Sequence, residues 1–275
     1  MAVEVGGVRM AVLEAGRGGR PLLLVHGFTG CKEDFADEVP RLAELGFHVV
    51  APDLVGHGSS THHDDESAYS FAGFAADLLA LADHLGWGRF DLVGHSMGGM
   101  VAQVLVLDHR ERVDRLVLMD THHGRIEDLD AELVAMGVEV ARTQGLEVIQ
   151  QLLREVQDPT DSPAYERVCA ERPGYREWAE AKMLACSPAM YAAMLAAMEA
   201  ADDRLERLAE LSCPTLVVVG ELDRSFVAGS ERLAATIPGA RLAVLPDGGH
   251  CPQFEATDAW RAAVDGFLAP AAVRR

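Results

Sequence analysis

Lysine is almost missing from this chain: Lys32 and Lys182 are the only two among 24 basic residues, the rest being arginine. With the abundant alanine, that bias reads as codon usage rather than mechanism. No basic cluster occurs, and 43 acidic residues bring the formal charge to −19. Such a surface repels a phosphate backbone, which excludes nucleic acid as a partner. Cysteine is sparse, odd in number and scattered (Cys31, Cys169, Cys186, Cys213, Cys251). No Cys-x-x-Cys is present, so zinc-knuckle and redox motifs have no support, and a reducing compartment fits. The start carries no basic stretch followed by an apolar run, and no apolar run reaches membrane-spanning length. The expectation is a cytoplasmic protein without a membrane partner. Internal repeats and low-complexity tracts are also lacking.

What is present is a rhythm. Val3–Val5 and Arg9–Glu14, parted by Gly6-Gly7, predict an antiparallel hairpin at a sheet edge. Pro21–His26 is a continuous apolar run, as in a strand buried on both faces. A helix at about Asp34–Leu45 and a strand at Phe47–Ala51 follow. Phe71, Phe74, Leu78, Leu81 and Leu85 share one helical face, and Val113–Met119 reads as a strand. Alternation of this kind predicts a parallel sheet with helices on both faces.

From His122 to about Leu208 the strand pattern stops. Leu129, Leu133, Met136 and Val140 space as one helix, and Leu146, Ile149, Leu153 and Val156 as another. Met190, Met194 and Met198 lie on a last one, with Asp158-Pro159, Ser162-Pro163, Arg172-Pro173-Gly174 and Ser187-Pro188 as punctuation. Alternation resumes with Pro214–Gly220, Val227–Thr236, Ala240–Leu245 and Asp258–Leu268. The division expected is a core of residues 1–121 and 209–275 around a helical insertion at 122–208.

The chemistry concentrates at Gly94-His95-Ser96-Met97-Gly98, where a predicted strand turns abruptly into a helix. Such a turn strains its central residue, and the flanking glycines remove side chains that would collide. The Ser96 hydroxyl is thereby presented at the positive end of the following helix. Serine needs a base, and the base needs a group that orients it and balances its charge. In parallel sheets such groups gather beyond the carboxyl ends of the strands. His250, in Gly248-Gly249-His250, follows the last strand, and Asp223 follows the one before. Asp120, which also ends a strand, is the second candidate acid; Glu221 and Asp247 lie close in sequence. The backbone amides of Met97 and Phe28 are the candidate oxyanion donors, with Gly27 letting the Phe28 loop approach.

Five blocks in order carry a resemblance: His26-Gly27-Phe28-Thr29-Gly30, Pro52–Ser59, Gly94–Gly99, Gly220–Asp223 and Gly249-His250. The chain resembles the α/β-hydrolase superfamily over nearly its full length. The resemblance implies a mostly parallel eight-stranded sheet, helices on both faces, a helical cap, and a serine hydrolase mechanism needing no cofactor or metal. Haloalkane dehalogenases are similar but use aspartate where this chain has Ser96. Menaquinone-pathway synthases share the His26–Gly30 loop but carry arginine where this chain has Met100. Enol-lactonases, small-ester carboxylesterases and cofactor-free perhydrolases keep a similar pattern. The expected activity is hydrolysis of a small or medium apolar ester or lactone. A C–C bond hydrolase or lyase of the same fold, and a ligand receptor without turnover, are the alternatives.

Four further residues, Gly27, His95, Met190 and Met194, are candidate substrate contacts. His57 reads as structural. His62-His63-Asp64-Asp65 and Asp120-Thr121-His122-His123 approach metal-ligand composition but read as solvated loop and cap rim. Arg125, Arg142 and Arg154 are candidates to meet a carboxylate, or exposed helix faces. A small molecule is the partner expected, with the protein a monomer or homodimer.

Overall fold

Apolar runs too short for helices and rich in valine and leucine pair here into one sheet. A computed structural model describes residues 1–126, 129–155 and 162–269. Its strands are β1 (Ala2–Val5), β2 (Val8–Ala15), β3 (Arg20–Val25), β4 (Phe47–Pro52), β5 (Phe90–His95), β6 (Val113–Met119), β7 (Thr215–Gly220) and β8 (Arg241–Leu245). The spatial order is β1-β2-β4-β3-β5-β6-β7-β8. β2 runs antiparallel to β1 and β4, and every other neighbouring pair is parallel. The hairpin therefore closes one edge, while β3, β5, β6 and β7 hold the centre, where the sequence is apolar on both faces.

Two apolar layers flank the sheet. Phe74, Leu78 and Leu81 of helix Phe71–His84 pack with Leu105 of helix Met97–Asp108 on one side. Phe35, Leu42 and Trp260 close the other, the last from helix Thr257–Leu268. The helix expected over Asp34–Leu45 is in fact split into a 3₁₀ turn at Lys32–Phe35 and a helix at Glu38–Glu44. Pro40 explains the break: it has no N–H to offer residue 36, and it is tolerated only in a first turn, whose amides lack helical acceptors anyway.

Between β6 and β7 the described residues form helices Ala131–Gln144, Leu146–Glu155, Pro163–Glu171, Tyr175–Leu184 and Pro188–Glu199, with a short turn at Leu205–Leu208. Ser162 and Ser187 prove to be caps: each side-chain oxygen accepts an amide three residues on, and each precedes a proline in the first turn. The face read from Leu129, Leu133, Met136 and Val140 needs correcting. Leu133 and Met136 are exposed, and Val134, Val138 and Ala141 point inward with Val140. Val156 and Asp158-Pro159 lie outside the described residues. Among the described residues no single helix is long and apolar enough to cross a membrane.

Candidate active site

Ser96 follows β5 directly and stands immediately ahead of helix Met97–Asp108 with φ 53° and ψ −120°. A side chain at positive φ costs on the order of 1–3 kcal/mol and persists only where its surroundings enforce it. Here they do. Ser96 N–H donates to Met119 O at 2.9 Å, and the Thr121 hydroxyl donates to Ser96 O at 2.6 Å. A Cβ on Gly94 would lie 2.5 Å from Gly98 O, and one on Gly98 would lie 2.4 Å from His26 O. Only glycine allows strand, turn and helix to close this tightly. Met97, as the first helical residue, has an amide with no acceptor inside its own helix.

The loop after β3 is held by two buried histidines. His26 Nε2 accepts from Leu54 N–H at 3.0 Å, so Nδ1 carries the proton and donates to Gly27 O at 2.8 Å. His57 Nε2 donates to Phe28 O at 2.7 Å. Burial lowers the pKa of both; His57 is pushed down to about 3. Gly27 C=O and Phe28 N–H belong to one trans peptide and point in opposite directions. With that carbonyl turned to His26, the Phe28 amide faces away from it. The Phe28 ring packs 4.7 Å from that of Tyr191.

His250 and Asp223 come from loops beyond β8 and β7. Their contact is direct: His250 Nδ1 to Asp223 Oδ2 is 2.8 Å, with Asp223 buried. Asp223 immediately precedes helix Arg224–Thr236, which begins three residues earlier than the spacing predicted. Phe226 covers His250, ring to ring at 4.7 Å. Asp120 is wholly buried and accepts from Gly220 N–H at 2.9 Å. Glu221 accepts from the Asp247 amide at 3.3 Å. His95 Nε2 donates to the backbone oxygen of His250 at 2.7 Å. Burial, and then His250, push the His95 imidazole down to about 3, so it is a neutral strut at ordinary pH.

Ser96 and His250 border one cavity of about 780 Å³. Gly27, Phe28 and His95 also line it; Met190 and Met194 do not. Both of those methionines are fully buried, and Met190 packs over Gly56. The cavity instead meets Tyr191, Leu195 and Met198 of the same helix. The methionine stripe is thus divided, since positions 190 and 194 turn toward the core while 191, 195 and 198 occupy the adjoining face.

Sequence reasoning missed the polar wall. Lys182 Nζ contacts Asp34 Oδ1 at 2.7 Å across the cavity margin, and it lies 4.6 Å from the Trp178 ring. The scarcity of lysine was the available signal. Arg125 pairs with Glu199, Arg142 with Glu66 and Arg154 with Glu180; of these arginines only Arg154 borders the cavity. His122 and His123 stack on each other, and His123 Nδ1 meets Asp203 Oδ1 at 2.9 Å.

A family model described as alpha/beta hydrolase fold matches residues 20–148. The chain is 39% identical over 112 residues to Epoxide hydrolase A of Mycobacterium tuberculosis, covering 40% of this chain and 35% of that protein. That match spans only about a third of the relative. Over 274 residues the chain is 30% identical to 2-hydroxymuconate semialdehyde hydrolase of Pseudomonas putida, covering 92% of this chain and 88% of the other. Among solved structures, the enol-lactonase from Burkholderia xenovorans LB400 superimposes with a TM-score of 0.85 at 26% identity. That alignment covers 98% of this chain and all of that one.

Proposed function

The chain belongs to the α/β-hydrolase family, and from that premise we propose that it is a serine hydrolase of neutral carboxylic esters or lactones. Ser96 attacks the carbonyl while His250 takes its proton. Asp223 holds the imidazole by Nδ1, so that Nε2 is the basic nitrogen, and balances the charge that forms. The amides of Phe28 and Met97 donate to the oxyanion. His250 then returns the proton to the leaving alcohol, and water releases the acyl group by the same route. The observation that carries this reading is the strained Ser96 sharing one cavity with a histidine that is already oriented by a buried acid.

An epoxide substrate fits poorly, despite the resemblance to an epoxide hydrolase. A serine oxygen opening an epoxide forms an ether, which an oxyanion hole does not help water to cleave. An acyl-enzyme, by contrast, passes through a second tetrahedral oxyanion. The helical stretch between β6 and β7 acts as the cap, closing the cavity over Ser96 and setting which substrates enter. Among the described residues three Lys or Arg side chains border that cavity, and each already has an acid: Lys182 with Asp34, Arg154 with Glu180, Arg176 with Glu166. An anionic substrate would have to share one of those cations with its acid, whereas Phe28, Leu195 and Met198 offer apolar surface to a neutral one.

The near full-length similarity to 2-hydroxymuconate semialdehyde hydrolase keeps a second reading in play, a C–C bond hydrolase of the same fold. Its substrate would be anionic, which the paired cations disfavour. A panel of 4-nitrophenyl esters, lactones and 1,3-diketones, with products identified by mass spectrometry, separates the two. Ser96→Ala should lower turnover of the accepted substrate by about three to six orders of magnitude. It should also abolish the covalent adduct formed with a fluorophosphonate probe. Wild-type turnover surviving in Ser96→Ala would overturn the proposal.

A further inference from the structure

The mechanism above leaves one buried acid at the site unused. Asp120 ends β6 next to Asp223, which follows β7, and none of its surface reaches solvent. Its backbone takes φ 45°, a conformation that L residues avoid unless their surroundings impose it. One carboxyl oxygen accepts the Gly220 amide at 2.9 Å, and among the described residues no N–H reaches the other. The carboxyl lies beside the reacting pair: one ligand atom each of Asp120, Asp223 and His250 lie within 4.8 Å of one another.

Two carboxylates in so small and dry a space do not both stay charged. Asp223 holds the imidazole at 2.8 Å, so the charge belongs there. Burial, and then the charge on Asp223, hold the Asp120 carboxyl well above the usual range. Glu255, which accepts the Gly249 and Cys251 amides, adds repulsion of the same sign. Among the described residues, the charged and titratable groups facing Asp120 are therefore Asp223, His250, Glu255 and the Cys251 thiol.

We propose that Asp120 is a reserve acid for His250. It is kept neutral and shares its proton with Asp223 while Asp223 carries the charge, and it takes over that charge when Asp223 is lost. Asp120 is a positioning residue, acting on substrate only through the imidazole. The inference rests on the reading of Ser96, His250 and Asp223 as the hydrolytic set.

The test uses the full chain with Asp223→Ala, the isosteric Asp223→Asn, Asp120→Asn, the double variant Asp120→Asn/Asp223→Asn, and Ser96→Ala. Two rates are read across pH: hydrolysis of 4-nitrophenyl butyrate and labelling by a fluorophosphonate, with folding checked by circular dichroism. Losing the only acid of such a set costs about 10⁴-fold in another serine hydrolase. With a reserve acid, Asp223→Ala and Asp223→Asn should each retain at least about 1% of the rate, and the double variant should fall about 100-fold further.

The pH profile supplies a readout that a purely structural role would not move. Each Asp223 variant should keep its acidic limb, because Asp120 then supplies the negative charge. In the double variant that limb should move to lower pH by about one unit or more, because both aspartates beside the imidazole are gone and only Glu255, engaged with the Gly249 and Cys251 amides, remains to favour the imidazolium. Single Asp223 variants already as slow as the double, with the acidic limb already moved, would overturn the inference. So would activity lost on dialysis against EDTA and restored by Zn²⁺, since a cation would then be holding the three groups. Persistence of the rate in Ser96→Ala would instead sink the underlying serine reading, whatever the acids do.

Discussion

Lys182→Met removes one buried charge and leaves its partner behind. In the folded protein the Lys182 ammonium sits 2.7 Å from Asp34 Oδ1, and Asp34 Oδ2 accepts the Cys31 amide at 3.1 Å. Asp34 is 3% exposed. Burial pushes its carboxyl up, but Lys182 and then His26 more than reverse this, so the net direction is down. Burial likewise lowers Lys182, and Asp34 reverses it, so its net direction is up. A group lowered in this way adds stability above its unfolded pKa and loses it as pH falls through the folded one. A raised lysine adds stability below its unfolded pKa and loses it as pH rises past the folded one. Between about pH 5 and 9 both contributions are therefore complete.

Methionine keeps most of the aliphatic stem, so little packing is lost. What remains is a buried carboxylate with one amide, a change that costs about 3–5 kcal/mol. The double variant Asp34→Asn/Lys182→Met removes both charges and should recover at least about 2 kcal/mol of that loss. In Lys182→Met alone, the main influence holding the Asp34 carboxyl down is gone, so it takes up a proton more readily as pH falls. The deficit should then shrink by up to about 1.4 kcal/mol per pH unit. Urea unfolding followed by circular dichroism at pH 5, 6, 7 and 8 measures both effects. A deficit below about 1 kcal/mol at pH 8, with no coupling in the double variant, would mean that water already screens the pair.

Asp91, at β5, meets Arg20 Nη2 at 2.8 Å, yet burial outweighs that contact and raises its carboxyl to about 6 from 3.8. The folded protein thus favours the neutral acid, and stability from this group falls as pH rises from about 4 to 6. Asp91→Asn should gain on the parent by about 3 kcal/mol between pH 4 and 7 in denaturant titrations; a flat difference refutes this. Gly98→Ala places a methyl 2.4 Å from His26 O and 2.6 Å from Val25 O, both backbone atoms. It should cost about 1–3 kcal/mol and slow fluorophosphonate labelling, and an unchanged melting temperature would count against the packing argument. Met198→Trp should raise KM for 4-nitrophenyl decanoate far more than for the acetate. Met190→Ala should lower stability by about 2–5 kcal/mol without moving chain-length preference, and the reverse pattern would show the cavity wall to be misassigned.

The core was legible because its signals are local. A continuous apolar run bounded by glycine defines a strand such as β3, and Gly94, Ser96 and Gly98 mark a strand-to-helix turn within a few residues. The acid proposed to orient His250 was only half legible, since Asp120 and Asp223 both follow central strands. Only the 2.8 Å contact to His250 separates them. The helical stretch was poorly legible for a different reason. Spacing gives the faces of a helix, not which neighbour each face meets. Leu133 and Met136 satisfied the helical period and yet point to solvent, while Val134 and Val138 are covered. Met190, Met194 and Met198 form one stripe that three-dimensional packing splits between core and cavity. Lys182 and Asp34, 148 positions apart, leave no periodic trace at all.

β6 and β7 are immediate neighbours in the sheet, although the whole helical stretch separates them in sequence. The excursion therefore begins and ends at almost the same place, stitched by Leu116 N–H to Pro214 O and Gly220 N–H to the Asp120 carboxyl. The entropy of closing such a loop grows only with the logarithm of its length, so doubling it adds about 0.6 kcal/mol. Between these two strands, chain length is nearly free. Evolution or an engineer can lengthen, shorten or exchange the intervening segment while Met119 still pairs with Val218, provided that the new segment folds.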